Sequence, residues 1–324
     1  MALIKFIFFS SIPIATVVSA FCDPAPTQFQ CRRHNIRRGV FFHPATQLGL
    51  ANKRKVTPTK KSRQKKKQQT LESLLELETD LRDRGYRYAI GSDDSGGAGC
   101  IAGPLVVASC CCLKPFSTFL PIASQQSAAS ASEFLLSESE MDALSKANDC
   151  KELTPARRQE ISDIVLSHPD VFAVSVAERS PKQIDDINLT RATQEAFAQS
   201  IETVVDTHNF PFEETYAIVD GKVSPKLYAS RRKQYDTPGE SEALTVFSVR
   251  PYVNGDAHVY TVALSSIIAR VARDNMMRDI HEQHPLYGFA DHNGYGRKDH
   301  IEALHRLGSL EGVHRMSFKQ VKGH

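Results

Sequence analysis

The chain has 324 residues, 41% hydrophobic and 24% charged, which excludes a disordered or fibrous protein and suffices for one large domain with appendages. Its net charge is only +3, but residues 1–70 hold 14 Lys and Arg against the single acid Asp23, leaving 26 basic and 36 acidic residues in the remainder. That remainder is not a globally basic nucleic-acid binder, so any polyanion must be held by a local patch or by metal-neutralised carboxylates.

Met1 to Ala20 contains an apolar run, Phe6 to Val18, closed by Ser19 and Ala20. It is too short and interrupted for a membrane span and reads as a secretory signal peptide. Residues 21–70 are rich in Arg, Lys, Thr, Gln and Pro and almost free of acid, like an organelle transit segment. The basic runs Lys53 to Lys55 and Lys60 to Lys67 also fit a nuclear-localisation signal or a nucleic-acid tail. A solvated arm is expected in either case.

An amphipathic helix is expected over 71–85, with Leu74, Leu75, Leu77 and Leu81 at helical spacing. Strands follow at about 87–93 and about 104–113, separated by a glycine-rich turn. The segment 114–147, with a Ser/Ala-rich stretch at 123–132, reads as a long flexible loop. Thr154 and Pro155 mark the start of a helix running to about Val165. A strand at 171–177, a helix at 188–205 and strands at 215–220 and 244–250 come next. Asp256 is expected to cap a long helix reaching about His281. The tail from Gly288 reads as loop, a helix at 298–307 and a terminal loop. Strands alternating with helices after an initial hairpin predict an α/β domain with a mixed sheet. The seven cysteines include the run Cys110 to Cys112, whose alternating directions in a strand forbid an ordinary disulfide framework. No Cys-x-x-Cys pair is present, so the thiols read as small apolar fillers in a reducing compartment.

Three segments end in aspartates placed for a hard cation: Tyr88 to Asp94, Tyr216 to Asp220, and the helical stretch Ala263 to Asp274. On that helix Ile267, Val271 and Asp274 recur at i, i+4 and i+7, while Arg270 and Arg273 lie away from the stripe. An acid on an apolar stripe is costly unless paired or metal-bound. Singly, each has a plain explanation: a salt bridge at Asp274, a turn at Asp220-Gly221, a turn at Asp93-Asp94. Together they have the type needed to hold two Mg²⁺ ions, which about 4 Å apart serve in-line phosphoryl displacement.

In order along residues 86–322, further motifs surround these acids. They are Gly91-Ser-Asp-Asp94 through Ala102-Gly-Pro104, Asp149-Cys-Lys-Glu-Leu153, Ile184-Asp-Asp-Ile-Asn188, Val219-Asp-Gly221, Gly255-Asp256, Ser266 to Asp274, Tyr287-Gly-Phe289, His292 to Gly296, and His314-Arg-Met-Ser-Phe318. The ordered set resembles ribonuclease HII, the type 2 ribonuclease H family. The resemblance implies a ribonuclease H-like mixed sheet flanked by helices with a C-terminal helical and loop extension, in a catalytic domain spanning 71–324. It implies an endoribonuclease that cuts the RNA strand of RNA–DNA hybrids and incises at ribonucleotides embedded in DNA, using Mg²⁺ or Mn²⁺ and leaving 5′-phosphate and 3′-hydroxyl ends. By motif, Asp93, Asp94, Asp220 and Asp274 fall on the catalytic, metal-binding carboxylates. Tyr295 falls on the tyrosine that stacks at the ribose–deoxyribose junction. The turn Gly96, Gly97, Ala98 and Gly99 supplies backbone groups to the 2′-hydroxyl, and Lys151 and Arg315 are phosphate contacts; solvated surface cations are the plain alternative for the last two. The junction Val18 to Cys22 also resembles the cleavage context of bipartite plastid signals. It implies plastid import of a monomer without a membrane anchor, with nucleus or mitochondrion as alternatives.

The first segment departs from the family pattern. Asp94 stands for Glu, the turn's arginine is replaced by Gly97 or Ala98, and the turn has one residue more. If the extra residue lies within the turn, Asp93-Asp94 is the acidic pair; if not, Asp94 and Ser95 take those places. Keeping Gly91 in register favours the former. Cys150 stands for a serine, and Asn254 and Asn293 for lysines. These changes motivate a second expectation, a catalytically weak nucleic-acid-binding protein on the same fold.

Overall fold

The computed structural model describes residues 70–116, 135–222, 225 and 248–324, all within the compact unit Gln64–His324. The signal-peptide and transit readings at 1–69, the Ser/Ala-rich stretch at 123–132 and the first residues of the strand expected at 244–250 lie outside the described residues.

Five strands form one mixed sheet in the order β3-β2-β1-β4-β5. β1 (Tyr88–Ser95) pairs antiparallel with β2 (Leu105–Cys112) and parallel with β4 (Thr215–Asp220). β3 (Phe172–Arg179) lies antiparallel on β2, and β5 (Ser248–Tyr252) runs parallel to β4 at the edge, where Pro251 is tolerated. Both faces are covered. Every residue of β2 is buried, and period-2 alternation sorts its cysteines. Cys110 and Cys112 join one core cluster and Cys111 the other, all as free thiols.

Eight α-helices occur among the described residues. α1 (Leu71–Asp83), α3 (Pro155–Ser167), α5 (Leu189–His208) and α8 (Lys298–Leu307) fall where periodicity and caps place them. Three lie in segments expected to be loop or passed over. α2 (Glu138–Ser145) starts with a capping box from Ser137 and Glu140, and α4 (Pro181–Ile187) with one from Ser180 and Gln183. Short α7 (Phe289–His292) precedes Tyr295. The long helix α6 (Tyr260–Gln283) begins later than expected. Asp256 does not cap it; that residue sits in the separate 3-10 turn Gly255–Ala257. The cap comes instead from α1. Buried Glu78 accepts from the Thr261 backbone N–H at 2.8 Å and its hydroxyl at 3.0 Å, placing a carboxylate at the positive end of the helix. Burial pushes the Glu78 carboxyl up to about 7 against the opposing pull of these hydrogen bonds.

α5 packs Phe197, Ile201 and Val205 against Ile90, Val107 and Val219 on one face of the sheet. α6 covers the other, with Leu264, Ile267 and Ile268 against Val106 and Ala108. It crosses β1 at Gly91, where a Cβ would come within 2.2 Å of the Thr261 carbonyl carbon. Arg273, which the stripe pattern put away from the apolar face, is completely buried.

The C-terminal extension folds over three buried histidines, His292, His300 and His314. His314 Nδ1 accepts from Leu310 N–H (2.9 Å), so its Nε2 carries the proton and donates to His300 Nε2 (3.2 Å). His300 Nδ1 then donates to the Tyr295 carbonyl (2.9 Å). His292 accepts from Gly294 N–H at Nδ1 and donates from Nε2 to the Tyr287 carbonyl. All three rings are satisfied in the neutral form, and burial pulls His300 and His314 down to about 4.

Removing the external cap strands the Thr261 N–H and opens a buried site, so Glu78→Ala should lose about 1–3 kcal/mol in denaturant titration. Folded-state histidine pKa values below the ordinary 6.5 mean the unfolded chain binds more protons between that value and about 4. The stability contributed is full above the upper value and lost as pH falls through the lower. Glu78, raised, contributes with the opposite sign as pH climbs towards 7. His300→Asn should therefore be less stable than wild type at pH 7.5 but decline less steeply on acidification; thermal melts across that range check it.

Candidate active site

β1 and β4 run side by side and end together. Ser92 lies opposite Val219, so the next residues, Asp93 and Asp220, emerge as neighbours at the carboxyl ends of parallel strands. Pairing of β1 with β2 continues through Asp93–Ala108, Asp94–Val107 and Ser95–Val106. Asp93, Asp94 and Ser95 therefore all lie on the strand, ahead of the turn. Alternation turns Asp93 towards α6, where the nearby Ser266 opposes the rise of its pKa, and Asp94 towards the opposite face.

The turn after β5 delivers a further acid. Gly255 N–H donates to Asp220 Oδ1 at 2.6 Å, which fixes the Gly255–Ala257 turn against the end of β4. Asp256, 5% exposed, receives the Lys151 ammonium at 3.2 Å. Four carboxylates, Asp93, Asp94, Asp220 and Asp256, thus share one end of the sheet. Burial first, then Asp220 and Asp94, raises Asp93 well above the carboxylate range. Asp94 is pushed up to about 6 by burial and Asp220, with Arg315 and Lys151 pulling the other way. Asp220 is raised by burial and by Asp256. Lys151 is lifted above its ordinary value by Asp256, which outweighs desolvation.

This donor set is all oxygen and carries like charge that Lys151 and Arg315 relieve only in part, which fits a hard divalent cation. Among the described residues no three acidic, His or Cys side chains converge into a finished cage, so binding would draw the carboxylates inward.

Asp274 does not join this cluster. Its residue is eight positions beyond Ser266, about 12 Å along the helix axis. Its Oδ2 accepts from Arg270 Nε at 3.1 Å, and Arg158 stands 3.9 Å away. The i−4 arginine on the same helix holds the carboxylate. The fourth acid at the strand ends is Asp256, whose signal was visible in the sequence: Gly255-Asp256 follows a strand, as Asp220 ends one.

Arg315 is also not where a phosphate contact would be. It is fully buried. Its guanidinium donates to the carbonyls of Gly96 (2.6 Å), Gly97 (3.1 Å) and Gly103 (3.1 Å), and burial lowers it to about 10. Arg273, from α6, likewise donates to the carbonyls of Pro104, Ala102 and Asn293. Arg315 thus holds the carbonyls of Gly96 and Gly97 in the glycine turn, and Arg273 those of Ala102 and Pro104 just beyond it. Among the described residues the N–H groups of Gly97, Ala98 and Gly99 find no acceptor, and Ala98 and Gly99 are exposed. Lys151 keeps its side chain 77% exposed beside the acids.

Tyr295 stands against this turn. It bridges to Cys100, and a Cβ at Gly99 would lie 3.3 Å from its ring. Gly296 N–H donates to the Gly99 carbonyl at 3.0 Å. The phenol oxygen accepts from Arg270 at 3.2 Å.

The ribonuclease HII family model matches residues 132–321 of this chain. The chain is 30% identical over 249 residues to ribonuclease HII of Fusobacterium nucleatum, covering 76% of this chain and 93% of that protein. It is 31% identical over 246 residues to ribonuclease HII of Chlamydia trachomatis, covering 76% and 88%. A ribonuclease HII solved in complex with PCNA from Archaeoglobus fulgidus superposes with a TM-score of 0.46 at 22% identity, covering 72% of this chain and 95% of that one. Sequence likeness of this extent places the chain in the ribonuclease HII family, as a ribonuclease H.

Proposed function

We propose that this enzyme hydrolyses the RNA strand of RNA–DNA hybrids and incises at single ribonucleotides in DNA, with Mg²⁺ or Mn²⁺ held by Asp93, Asp94, Asp220 and Asp256. The observation that carries this reading is the buried like-charge cluster beside a turn with outward N–H groups. A pair of divalent ions bound there would supply Lewis-acid activation of water and stabilisation of the leaving oxygen. The residues do the rest. The Asp94 N–H holds Asp93, and Gly255 N–H holds Asp220, so two of the acids are oriented before any ion arrives. The free N–H groups of Gly97, Ala98 and Gly99 are of the type that recognises a ribose 2′-hydroxyl. The Tyr295 ring offers a face to the adjoining sugar. Lys151 lends its exposed ammonium to a backbone phosphate while remaining tied to Asp256. Water oxygen joins phosphorus as the P–O3′ bond breaks, leaving 3′-hydroxyl and 5′-phosphate ends. Asp94, one methylene shorter than glutamate, still lies in the electrostatic reach of Asp220, which supports retained activity.

The basic segment at 21–70 behind an apolar leader supports plastid delivery. Among the described residues no helix is long and apolar enough to cross a membrane.

Two measurements bear on this reading. In nicking assays on a duplex with one embedded ribonucleotide, Asp220→Asn and Asp256→Asn should each lose 100-fold or more, on the order expected for lost charge stabilisation. Mn²⁺ titration by calorimetry should weaken in both and stay unchanged in Asp274→Asn; unaffected nicking by Asp256→Asn would sink the carboxylate assignment. Residues 1–75 fused to a fluorescent protein should label plastids, and accumulation in the nucleus or mitochondria would overturn that targeting.

A further inference from the structure

Asp274 and Arg270 are two charged residues on α6 that the chemistry above does not use. Their contacts lead in one direction. Asp274 Oδ2 accepts from Arg270 Nε at 3.1 Å, and its Oδ1 stands at the same 3.1 Å from that nitrogen, so both oxygens face the guanidinium. Arg270 NH1 then donates to the Tyr295 phenol oxygen at 3.2 Å, with the guanidinium carbon 5.8 Å from the ring centroid. Arg273 lies 5.9 Å from the same centroid. At the other end of the residue, His300 holds the Tyr295 backbone carbonyl. The ring therefore has a fixed backbone, a fixed phenol and a fixed edge against Gly99.

We propose that Asp274 and Arg270 are positioning residues that lock the Tyr295 phenol against the glycine turn and thereby set the preference for a ribose–deoxyribose junction. The inference rests on the reading that Tyr295 packs on the sugar next to the ribonucleotide. A ring held at a fixed distance accepts a deoxyribose and crowds a 2′-hydroxyl on that neighbouring sugar. A ring free to swing tolerates both. The residue type matters, because a guanidinium reaches the carboxylate with Nε and the phenol with NH1 in one plane, and an ammonium cannot span both. Arg270→Lys preserves the charge and removes the bridge. Asp274→Asn preserves the shape and removes the ion pair.

The test compares kcat and KM on two substrates, a duplex with one embedded ribonucleotide and a continuous RNA–DNA hybrid, with Mn²⁺ affinity measured alongside. Arg270→Lys and Asp274→Asn should each lower the junction-to-hybrid ratio of kcat/KM about tenfold, through kcat, with Mn²⁺ affinity unchanged. Tyr295→Phe should reproduce that loss, and adding Arg270→Lys to it should cost nothing further. A multiplicative loss in the double variant would mean that Arg270 acts on substrate directly and would overturn the proposal. So would an unchanged ratio in Arg270→Lys. Tyr295→Ala separates the two levels. If it leaves the ratio at the wild-type value, the sugar-packing reading itself fails; if it collapses the ratio while Arg270→Lys does not, only the positioning inference fails. Loss of Mn²⁺ binding in Asp274→Asn would return Asp274 to the metal site and overturn the proposal by a third route.

Discussion

The architecture depends on the contact between α6 and Gly91. With no side chain at that position, the first turn of the helix lies directly on β1, closer than any Cβ would allow. Ser265 confirms the register by donating to the Gly91 carbonyl at 2.9 Å. From that point the helix acts as a ruler with a rise of about 1.5 Å per residue. Ser266 meets Asp93, Arg270 meets Tyr295, Arg273 enters the glycine turn, and Met277 reaches the C-terminal layer. One close approach sets the position of every α6 residue that borders the site. Glu78 secures the origin of the ruler by binding the first free N–H groups of the helix.

The glycine turn is organised by a different device. Arg273 and Arg315 are buried without a bonded carboxylate, their charge spread over backbone carbonyls. Buried cations are costly unless their donors are satisfied, and here carbonyl oxygens satisfy them. Arg315 draws the Gly96 and Gly97 carbonyls inward, and in a planar trans peptide the N–H of the next residue, Gly97 or Ala98, points the other way. Carboxylates crowd together at the strand ends while guanidiniums sit beneath the adjacent turn. This separation of charge gives the site its polarity: an acidic floor next to a turn held from beneath by guanidiniums. Neutral histidines complete the support, since a charged His300 or His314 would leave one ring with two donors facing each other.

Much of this was legible in the residues. Alternation in β2, capped helices at Thr154 and Asn188, and the strand ending at Asp220 follow from period and local chemistry. α2 and α4 were passed over although their capping boxes, Ser137-x-x-Glu140 and Ser180-x-x-Gln183, are written in the chain. The composition of the neighbouring segment outweighed a short, specific signal. The fate of the charged residues on α6 was not legible. Helical spacing says which residues share a face, but not what element covers that face. Arg273 looked peripheral because the Gly-rich turn that buries it comes from 170 residues away in sequence, roughly, and such pairings carry no local period.

The sequence by itself determined the family, the mixed α/β sheet and the acidic strand ends at Asp93, Asp94 and Asp220. It could do so because each rests on local order: alternation, caps and short motifs in a fixed succession. Only the tertiary structure decided which fourth acid joins them. Asp256 precedes α6 and Asp274 lies within it, equal candidates by type. The parallel pairing of β4 with β5 carries the Gly255–Ala257 turn to Asp220, while the i−4 arginine on α6 neutralises Asp274 in place. Asp256 stands among other acids and shares one exposed ammonium with them, whereas Asp274 is held by a guanidinium on its own helix, away from that crowd.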